Sequence, residues 1–163
     1  MVSPKIQDAF NAHITEELYS ANLYLAMSAY AESKAYKGFG RWLRMQYQEE
    51  LAHAAKFVDH LLARGGQVAL GAVAAPGKDH GSMLQLFEAV LKHERKVTES
   101  LHAFYALSGA ERDAATQVFL QWFVSEQVEE EASVQEIVDR VGLVGDRSGS
   151  LLYLDKEYGK RGK

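Results

Sequence analysis

Glu50 and His53 stand three residues apart in the segment YQEELAHA, and their types could do chemistry together. The apolar residues around them, such as Leu43 and Phe57, recur with the spacing of one helix face. Side chains three positions apart on a helix are neighbours, so both polar groups would project from that apolar face. A carboxylate beside an imidazole in a core needs a compensating partner, and a metal ion is the partner that suits both.

Three further glutamates occupy the same kind of position in other segments: Glu17, Glu94 and Glu130, with Gln127 one turn before the last. Four buried carboxylates cannot stay ionised side by side without a cation, because desolvation and mutual repulsion both oppose their charge. Two divalent ions would balance the four charges. An oxygen-rich ligand set with one imidazole suits iron or manganese better than copper or a closed zinc site.

The two halves of the chain share this pattern. A shift of 77 residues superimposes the polar positions of the first half on those of the second, although the identity between the halves is weak. The shift pairs Glu17 with Glu94, Glu50 with Gln127 and His53 with Glu130. The alternative is that these side chains are exposed acids on wrongly phased helices, which is the usual case for a single glutamate. Agreement among four independently phased faces favours the metal site.

Four long helices must position these residues. We expect the first to begin at Ser3-Pro4 and end near Ser33, and the second to run from about Gly38 to Arg64 before Gly65-Gly66. The third begins at Ser82 with Gln85 as a capping box. The fourth is predicted from Ser108, with Glu111 three residues on, to Gly142.

The connections predict an all-α four-helix bundle. Short links make the first and second pairs of helices antiparallel hairpins. The segment GGQVALGAVAAPGKDHG is long enough to cross the whole bundle between the second and third helices, and its apolar centre predicts that it packs along the bundle. We expect one domain over residues 1–163, with the bundle at about 3–142 and a short fifth helix at about 146–158.

The composition of the chain limits the classes of partner that it can bind and predicts its cellular compartment. The chain has 163 residues, of which 47% are apolar, and no cysteine, so disulfides and cysteine-bound metals are excluded. A net charge of −4 without a basic stripe argues against a nucleic-acid partner, and the basic tail KEYGKRGK is predicted to be a solvated end. No signal-like N-terminus and no apolar run of about 18 residues occur, which predicts a soluble, cytoplasmic protein that does not enter membranes.

The set Glu17, Glu50-x-x-His53, Glu94 and Gln127-x-x-Glu130 resembles the ferroxidase centre of the ferritins, over essentially the whole chain. Bacterioferritins and rubrerythrins carry a second Glu-x-x-His on the fourth helix, whereas Gln-x-x-Glu is similar to the non-haem ferritins. Leu51 stands where bacterioferritins have a haem-ligating methionine, so no haem is expected.

The resemblance implies a role for each residue of the set. Glu17 and His53 would bind one iron, Glu50 would bridge, and Glu94 and Glu130 would bind the second iron. Gln127 would lie beside the pair and hydrogen-bond a bound oxygen species.

The resemblance also extends to neighbouring residues. A third iron site of bacterial non-haem ferritins is matched by Glu49, Glu126, Glu129 and Glu130. The alternative for the segment EQVEEE is a solvated acidic face, which we expect for Glu131. Tyr24 matches a tyrosine that lies near the centre in this family, where it would donate an electron; a plain core tyrosine is the alternative. We expect surface positions for Glu16, His60, His80 and His102, and packing positions, or at most positions directly behind a ligand, for His13 and His93. Trp42 and Trp122 are expected in the core or at a subunit interface rather than as redox relays.

The function that the resemblance implies is iron storage with ferroxidase activity. Fe²⁺ would be oxidised by O₂ or H₂O₂ at a di-iron centre within the subunit, and ferric oxyhydroxide would be deposited in a hollow homo-oligomeric shell, which has 24 subunits in this family. A reductase or ferredoxin would serve iron release. Two other classes stay open: a non-storage di-iron oxidase or peroxidase related to rubrerythrin, and a metal-free interaction bundle. Miniferritins of the Dps type build their site between subunits, whereas one chain here supplies every ligand.

Overall fold

In a computed structural model that describes residues 2–145 and 147–162, the chain forms helices and, among those residues, no strand. The helices are α1 (Pro4–Ser33), α2 (Lys37–Ala63), α3 (Met83–Ala110), α4 (Ala114–Val144) and α5 (Ser148–Tyr158). The predicted all-α bundle with a short fifth helix is therefore confirmed. Asp146, where the fifth helix was expected to begin, lies outside the described residues.

Two of the predicted helix starts are confirmed by their caps. The Ser3 hydroxyl accepts a hydrogen bond from the Ile6 amide, and Pro4 occupies the first turn of α1. At α3, Ser82 and Gln85 form the reciprocal capping box. Each of these caps satisfies amide groups that a helix leaves unpaired at its N-terminus.

The predicted start of the fourth helix at Ser108 is wrong. The Ser108 hydroxyl donates to the Tyr105 carbonyl, so it bonds back within α3 and caps nothing. The chain turns at Arg112, whose φ is 56°, and Asp113 caps α4 by accepting from the Thr116 amide at 3.0 Å. The predicted end at Gly142 is also too early, because α4 continues to Val144.

The long connection between α2 and α3 lies along α1, as predicted, but polar contacts near its two ends hold it there, because its apolar centre is largely exposed and Leu70 is 68% exposed. At one end, the Asn11 side chain donates to the Gln67 carbonyl at 3.0 Å and accepts from the Ala69 amide at 2.9 Å. At the other end, the Tyr30 hydroxyl donates to Asp79 at 3.0 Å. These contacts follow α1 from its first turns to its last, so the connection returns the chain to the far end of the bundle.

The start of α2 depends on α5. Tyr36 precedes α2 without a side-chain cap, and Oδ1 of Asp155 accepts from the Phe39 amide at 2.7 Å instead. Gly38 permits this approach, because a Cβ at that position would lie 1.7 Å from the Asp155 carbonyl oxygen.

None of the described helices combines the length and the apolar character that a membrane crossing requires.

The core is divided into two apolar clusters. One contains Phe10, Phe57, Phe104, Leu120 and their neighbours. The other contains Met27, Phe39, Phe87, Val134, Ile137 and their neighbours. On each of the four long helices, the glutamate predicted for the di-iron centre lies between the residues of these two clusters and is buried. These are Glu17, Glu50, Glu94 and Glu130. The bundle therefore has a polar layer between two apolar layers.

Candidate metal centre

The polar layer contains a compact group of three potential metal ligands. Glu17 of α1 and Glu50 and His53 of α2 each offer an atom within 4.8 Å of the others, and all three are buried. Nδ1 of His53 lies 3.3 Å from Glu50 Oε2 and 3.6 Å from Glu17 Oε2. Among residues 2–145 and 147–162, no other group of three acidic or histidine side chains is this close.

Glu94 of α3 completes one side of the layer and is held by two neighbours. The Tyr24 hydroxyl donates to Glu94 Oε1, and Nε2 of Gln127 donates to Glu94 Oε2 at 3.1 Å. The same Gln127 nitrogen lies 3.1 Å from the Thr98 hydroxyl. The Glu94 carboxylate is therefore joined to α1 and α4 by hydrogen bonds.

Glu130 of α4 is held from α2. Nε2 of Gln46 donates to Glu130 Oε2 at 2.8 Å, and both side chains are buried. Gln46 lies one turn before Glu50 on the same helix face. Gln46 is not among the site residues predicted from the sequence; an amide within an apolar stripe is the signal that could have identified it.

Burial and crowding divide the protons unequally among these acids. Burial raises the pKa of Glu50 well above its ordinary value, and the charges of Glu17, Glu94 and Glu130 raise it further. Burial likewise raises the pKa of Glu94 to about 7. Burial acts to raise the pKa of Glu17 too, but the adjacent imidazoles of His13 and His53, at 3.4 and 3.6 Å, favour the ionised carboxylate and lower that pKa.

The consequence is a layer that favours added positive charge. Without a cation, the surroundings of Glu17 favour its ionised form, whereas those of Glu50 favour its protonated form. A cation among these groups would favour every ionised form, so metal binding would release protons. The donor set, which is carboxylate oxygen with one imidazole, fits hard or borderline divalent metals such as Fe²⁺ and Mn²⁺.

His13 occupies one of its two expected positions, directly behind a candidate ligand of the layer. Its side chain is 3% exposed, its Nε2 lies 3.4 Å from Glu17 Oε1, and its Nδ1 lies 3.5 Å from Glu16 Oε2. His93 packs beside the layer, and its Nε2 lies 2.7 Å from the Ser20 hydroxyl. Of the two, only His13 reaches a candidate ligand.

The residues predicted for a third iron site are less closely grouped. Glu49 is half-buried and its Oε2 lies 2.6 Å from Nη2 of Arg161, while Glu126 is half-buried and Glu129 is exposed. Within the described part of the chain, these carboxylates do not form a three-member group with Glu130 whose oxygens lie within 4.8 Å. The third site stays a prediction. The expectation of a wholly solvated tail is wrong, because Arg161 contacts α2.

Three surface predictions also need correction, and one of them is Glu16, which is half-buried beside His13. His60 is half-buried and stacks on Phe119 with ring centroids 4.1 Å apart, so it is a packing residue. His80 is half-buried beside the Tyr30 ring. Trp42 is buried, whereas Trp122 is 43% exposed and its ring lies edge-on to His53 at 5.5 Å.

Comparison with known proteins finds similarity over nearly the full chain. Residues 7–144 match the ferritin-like domain family. The bacterial non-heme ferritin of Bacteroides fragilis (strain 638R) is 41% identical over 99% of this chain and 100% of its own length. That of Staphylococcus saprophyticus is 35% identical over 99% of this chain and 96% of its own. An open pore ferritin from Archaeoglobus fulgidus superimposes with a TM-score of 0.98 and 46% identity, covering 99% of each chain.

Proposed function

The chain belongs to the ferritin-like domain family, and from that premise we propose that it stores iron and oxidises Fe²⁺ at the polar layer of its bundle. The observation that carries this proposal is the buried group of Glu17, Glu50 and His53, whose ligand atoms all lie within 4.8 Å of one another. Iron is the substrate here, and the ferric product is the cargo.

Two iron-binding positions are proposed within the layer. Glu17 and His53 bind one Fe²⁺, Glu94 and Glu130 bind the other, and Glu50 bridges them. This assignment is supported by the burial of all five side chains and by the charge that each cation would neutralise. Holding two ions side by side lets one oxidant, O₂ or H₂O₂, take an electron from each.

The surrounding residues are proposed to orient this centre. Gln127 and Tyr24 both donate hydrogen bonds to Glu94, which fixes the carboxylate before iron arrives. Gln127 would also hydrogen-bond the oxidant, and Tyr24 would supply an electron to it. Tyr24 is fully buried among these acids. Burial raises the pKa of its phenol, and the charges of the acids raise that pKa further. The phenol therefore keeps its proton in the resting protein.

Storage requires an enclosed volume, and we propose that the chain assembles into the shell of 24 subunits implied by its family. The ferric ions would then pass to a third site formed by Glu49, Glu126, Glu129 and Glu130 and on to a mineral core. The likeness to an open pore ferritin, at a TM-score of 0.98, supports such an assembly.

Anaerobic titration with Fe²⁺, followed by air and a measurement of particle size, tests the proposal. We expect about two tightly bound Fe²⁺ per chain, rapid oxidation on exposure to air, and large particles that keep far more iron than protein chains in solution. Binding of fewer than two Fe²⁺, or precipitation of the oxidised iron, contradicts the proposal. A monomer or dimer that oxidises iron but does not retain it would identify a non-storage di-iron oxidase instead.

A further inference from the structure

The residues that follow α5 return to α2 and lie along one of its faces. Nη2 of Arg161 donates to Glu49 Oε2 at 2.6 Å, and the guanidinium lies 4.7 Å from the centre of the Trp42 ring. The Arg161 carbonyl also accepts from Nε of Arg41 at 3.3 Å. Three separate contacts therefore fix the position of this one residue.

Gly162 extends the same contact surface. Its φ is 75°, and a Cβ there would lie 3.0 Å from Met45 Cε, so the chain fits closely against the helix. The contacted residues of α2 are spaced as neighbours on one helix face, ending at Glu49. The path of the tail along α2 thus places the positive charge of Arg161 at the carboxylate of Glu49, the residue before Glu50.

The guanidinium of Arg161 lies against one of the four acids proposed for the third iron site, because its Nη2 donates to Glu49 Oε2 at 2.6 Å. Its Nη1 is buried and has no hydrogen-bond partner among the described residues.

We propose that Arg161 is a tethered cation that occupies the Glu49 carboxylate when the third iron site is empty, and that a metal ion must displace it in order to bind there. This inference rests on the third site of the proposed function. A guanidinium and a metal ion both require the carboxylate oxygen that the 2.6 Å contact uses, so their binding is competitive.

The strength of the contact suits displacement. The two side chains are 28% and 41% exposed, which screens the ion pair, and the Trp42 ring adds a cation–π contact. An interaction of this kind lowers the affinity of a competing cation for the same carboxylate by about threefold to tenfold. The tail would thus keep the carboxylate neutralised at low iron and give way when metal becomes abundant.

The test uses Lu³⁺, a trivalent cation that prefers carboxylate oxygens and is not oxidised or reduced, titrated calorimetrically into the assembled protein. Arg161→Gln should tighten the weakest class of Lu³⁺ sites by about threefold to tenfold. Lys160→Gln is the matched control: it removes one positive charge from the adjacent position, where Lys160 contacts Glu157 rather than Glu49, and it should leave that class unchanged. In a Glu49→Gln background the weak class should be impaired and Arg161→Gln should have no further effect.

The outcomes separate the two proposals. If Glu49→Gln weakens the class but Arg161→Gln leaves it unchanged or weaker, Arg161 does not compete, and the inference is overturned while the third site stands. If Glu49→Gln leaves every class of Lu³⁺ site intact, the third site itself is wrong and the inference falls with it. An equal gain from Lys160→Gln would show that general charge removal, not displacement of Arg161, accounts for the effect.

A spectroscopic measurement follows the displacement directly. The chain has two tryptophans, so Trp122→Phe leaves Trp42, which lies under the guanidinium, as the sole reporter. Lu³⁺ should change its fluorescence with the midpoint of the weak class, and this change should disappear when Arg161→Gln is added. A fluorescence change that persists without Arg161 would rule out displacement as its cause.

Discussion

The side-chain amide of Gln46 donates a hydrogen bond of 2.8 Å to Oε2 of Glu130, which joins α2 to α4 within the polar layer. Burial raises the pKa of Glu130, and this hydrogen bond acts against that rise. Gln46 therefore keeps a buried carboxylate both oriented and easier to ionise, which are the two conditions for binding a metal.

Gln46→Ala should consequently weaken binding at the second metal position. A hydrogen bond to a charged group contributes about 1.5–3 kcal/mol, so we expect a loss of affinity of about tenfold or more. Zn²⁺ titration calorimetry at pH 7 measures it, with Gln48→Ala as the control because Gln48 is an exposed glutamine on the same helix. Equal affinities in the two variants would show that Gln46 has no such role.

Glu50 offers a test of the bridging assignment. Glu50→Ala should abolish the rapid phase of Fe²⁺ oxidation, because both iron positions lose a shared ligand, while slow mineral growth continues. Stopped-flow absorbance after mixing with air-saturated buffer measures the initial rate. Glu99→Ala removes an exposed carboxylate from α3 and should retain the rapid phase; an unchanged initial rate in Glu50→Ala would refute the bridge.

Tyr24 can be tested separately for its two proposed roles. Tyr24→Phe removes the donor to Glu94 Oε1 but leaves the ring in the core. If the phenol supplies an electron, a tyrosyl radical should be detectable by electron paramagnetic resonance after the wild-type protein mixes with O₂, and it should be absent in the variant. Loss of metal affinity without any wild-type radical would leave Tyr24 as an orienting residue only.

The buried acids predict that the metal-free protein loses stability as the pH rises. The pKa of Glu94 is raised by burial from 4.5 to about 7, and that of Glu50 is raised as well. Below pH 4.5 Glu94 is protonated in both the folded and the unfolded chain, but above 7 the folded protein must ionise it in the core. The folded state binds more protons over this interval, so the free energy of unfolding falls with increasing pH.

At about 1.4 kcal/mol per pKa unit, Glu94 alone accounts for a loss of about 3 kcal/mol by pH 8. We expect the melting temperature of the metal-free protein to fall between pH 4.5 and about 7, and Zn²⁺ to reverse the fall. Glu94→Gln should melt higher than the wild type at pH 8 without metal, whereas the exposed-site variant Glu99→Gln should follow the wild-type curve. A melting temperature that increases over this range would contradict the proton distribution.

The junction of α2 and α4 makes a prediction about stability alone. Nη1 of Arg64 donates to both oxygens of Asp113, at 2.7 and 2.9 Å, while Asp113 caps α4 through Thr116. Asp113→Ala removes the cap and the ion pair and should destabilise the fold by about 2 kcal/mol. Asp113→Asn keeps a capping oxygen and should recover part of this loss in thermal melts, and Asp139→Ala, at an exposed position of α4, should cost little. Equal losses in the alanine and asparagine variants would assign the whole effect to the ion pair.

The sequence determines the helices and their local caps more fully than it determines the contacts between helices. Helix faces and the caps at Ser3 and Ser82 follow from local spacing and from hydrogen bonds between residues three apart, so they could be predicted. The start of α4 could not. Ser108 and Glu111 have the composition of a cap, but the turn forms at Arg112, and Asp113 is favoured as the cap because Arg64, which follows the end of α2, contacts it.

The polar layer shows the same division. The sequence by itself determined which carboxylates face the interior, because the apolar period of each helix fixes the direction of its side chains. Only the tertiary structure decided that Gln46 holds Glu130, that protons divide unequally between Glu17 and Glu50, and that Arg161 neutralises Glu49. These relationships join residues far apart in the chain, and they depend on distances of a few ångströms that are set only when the helices pack.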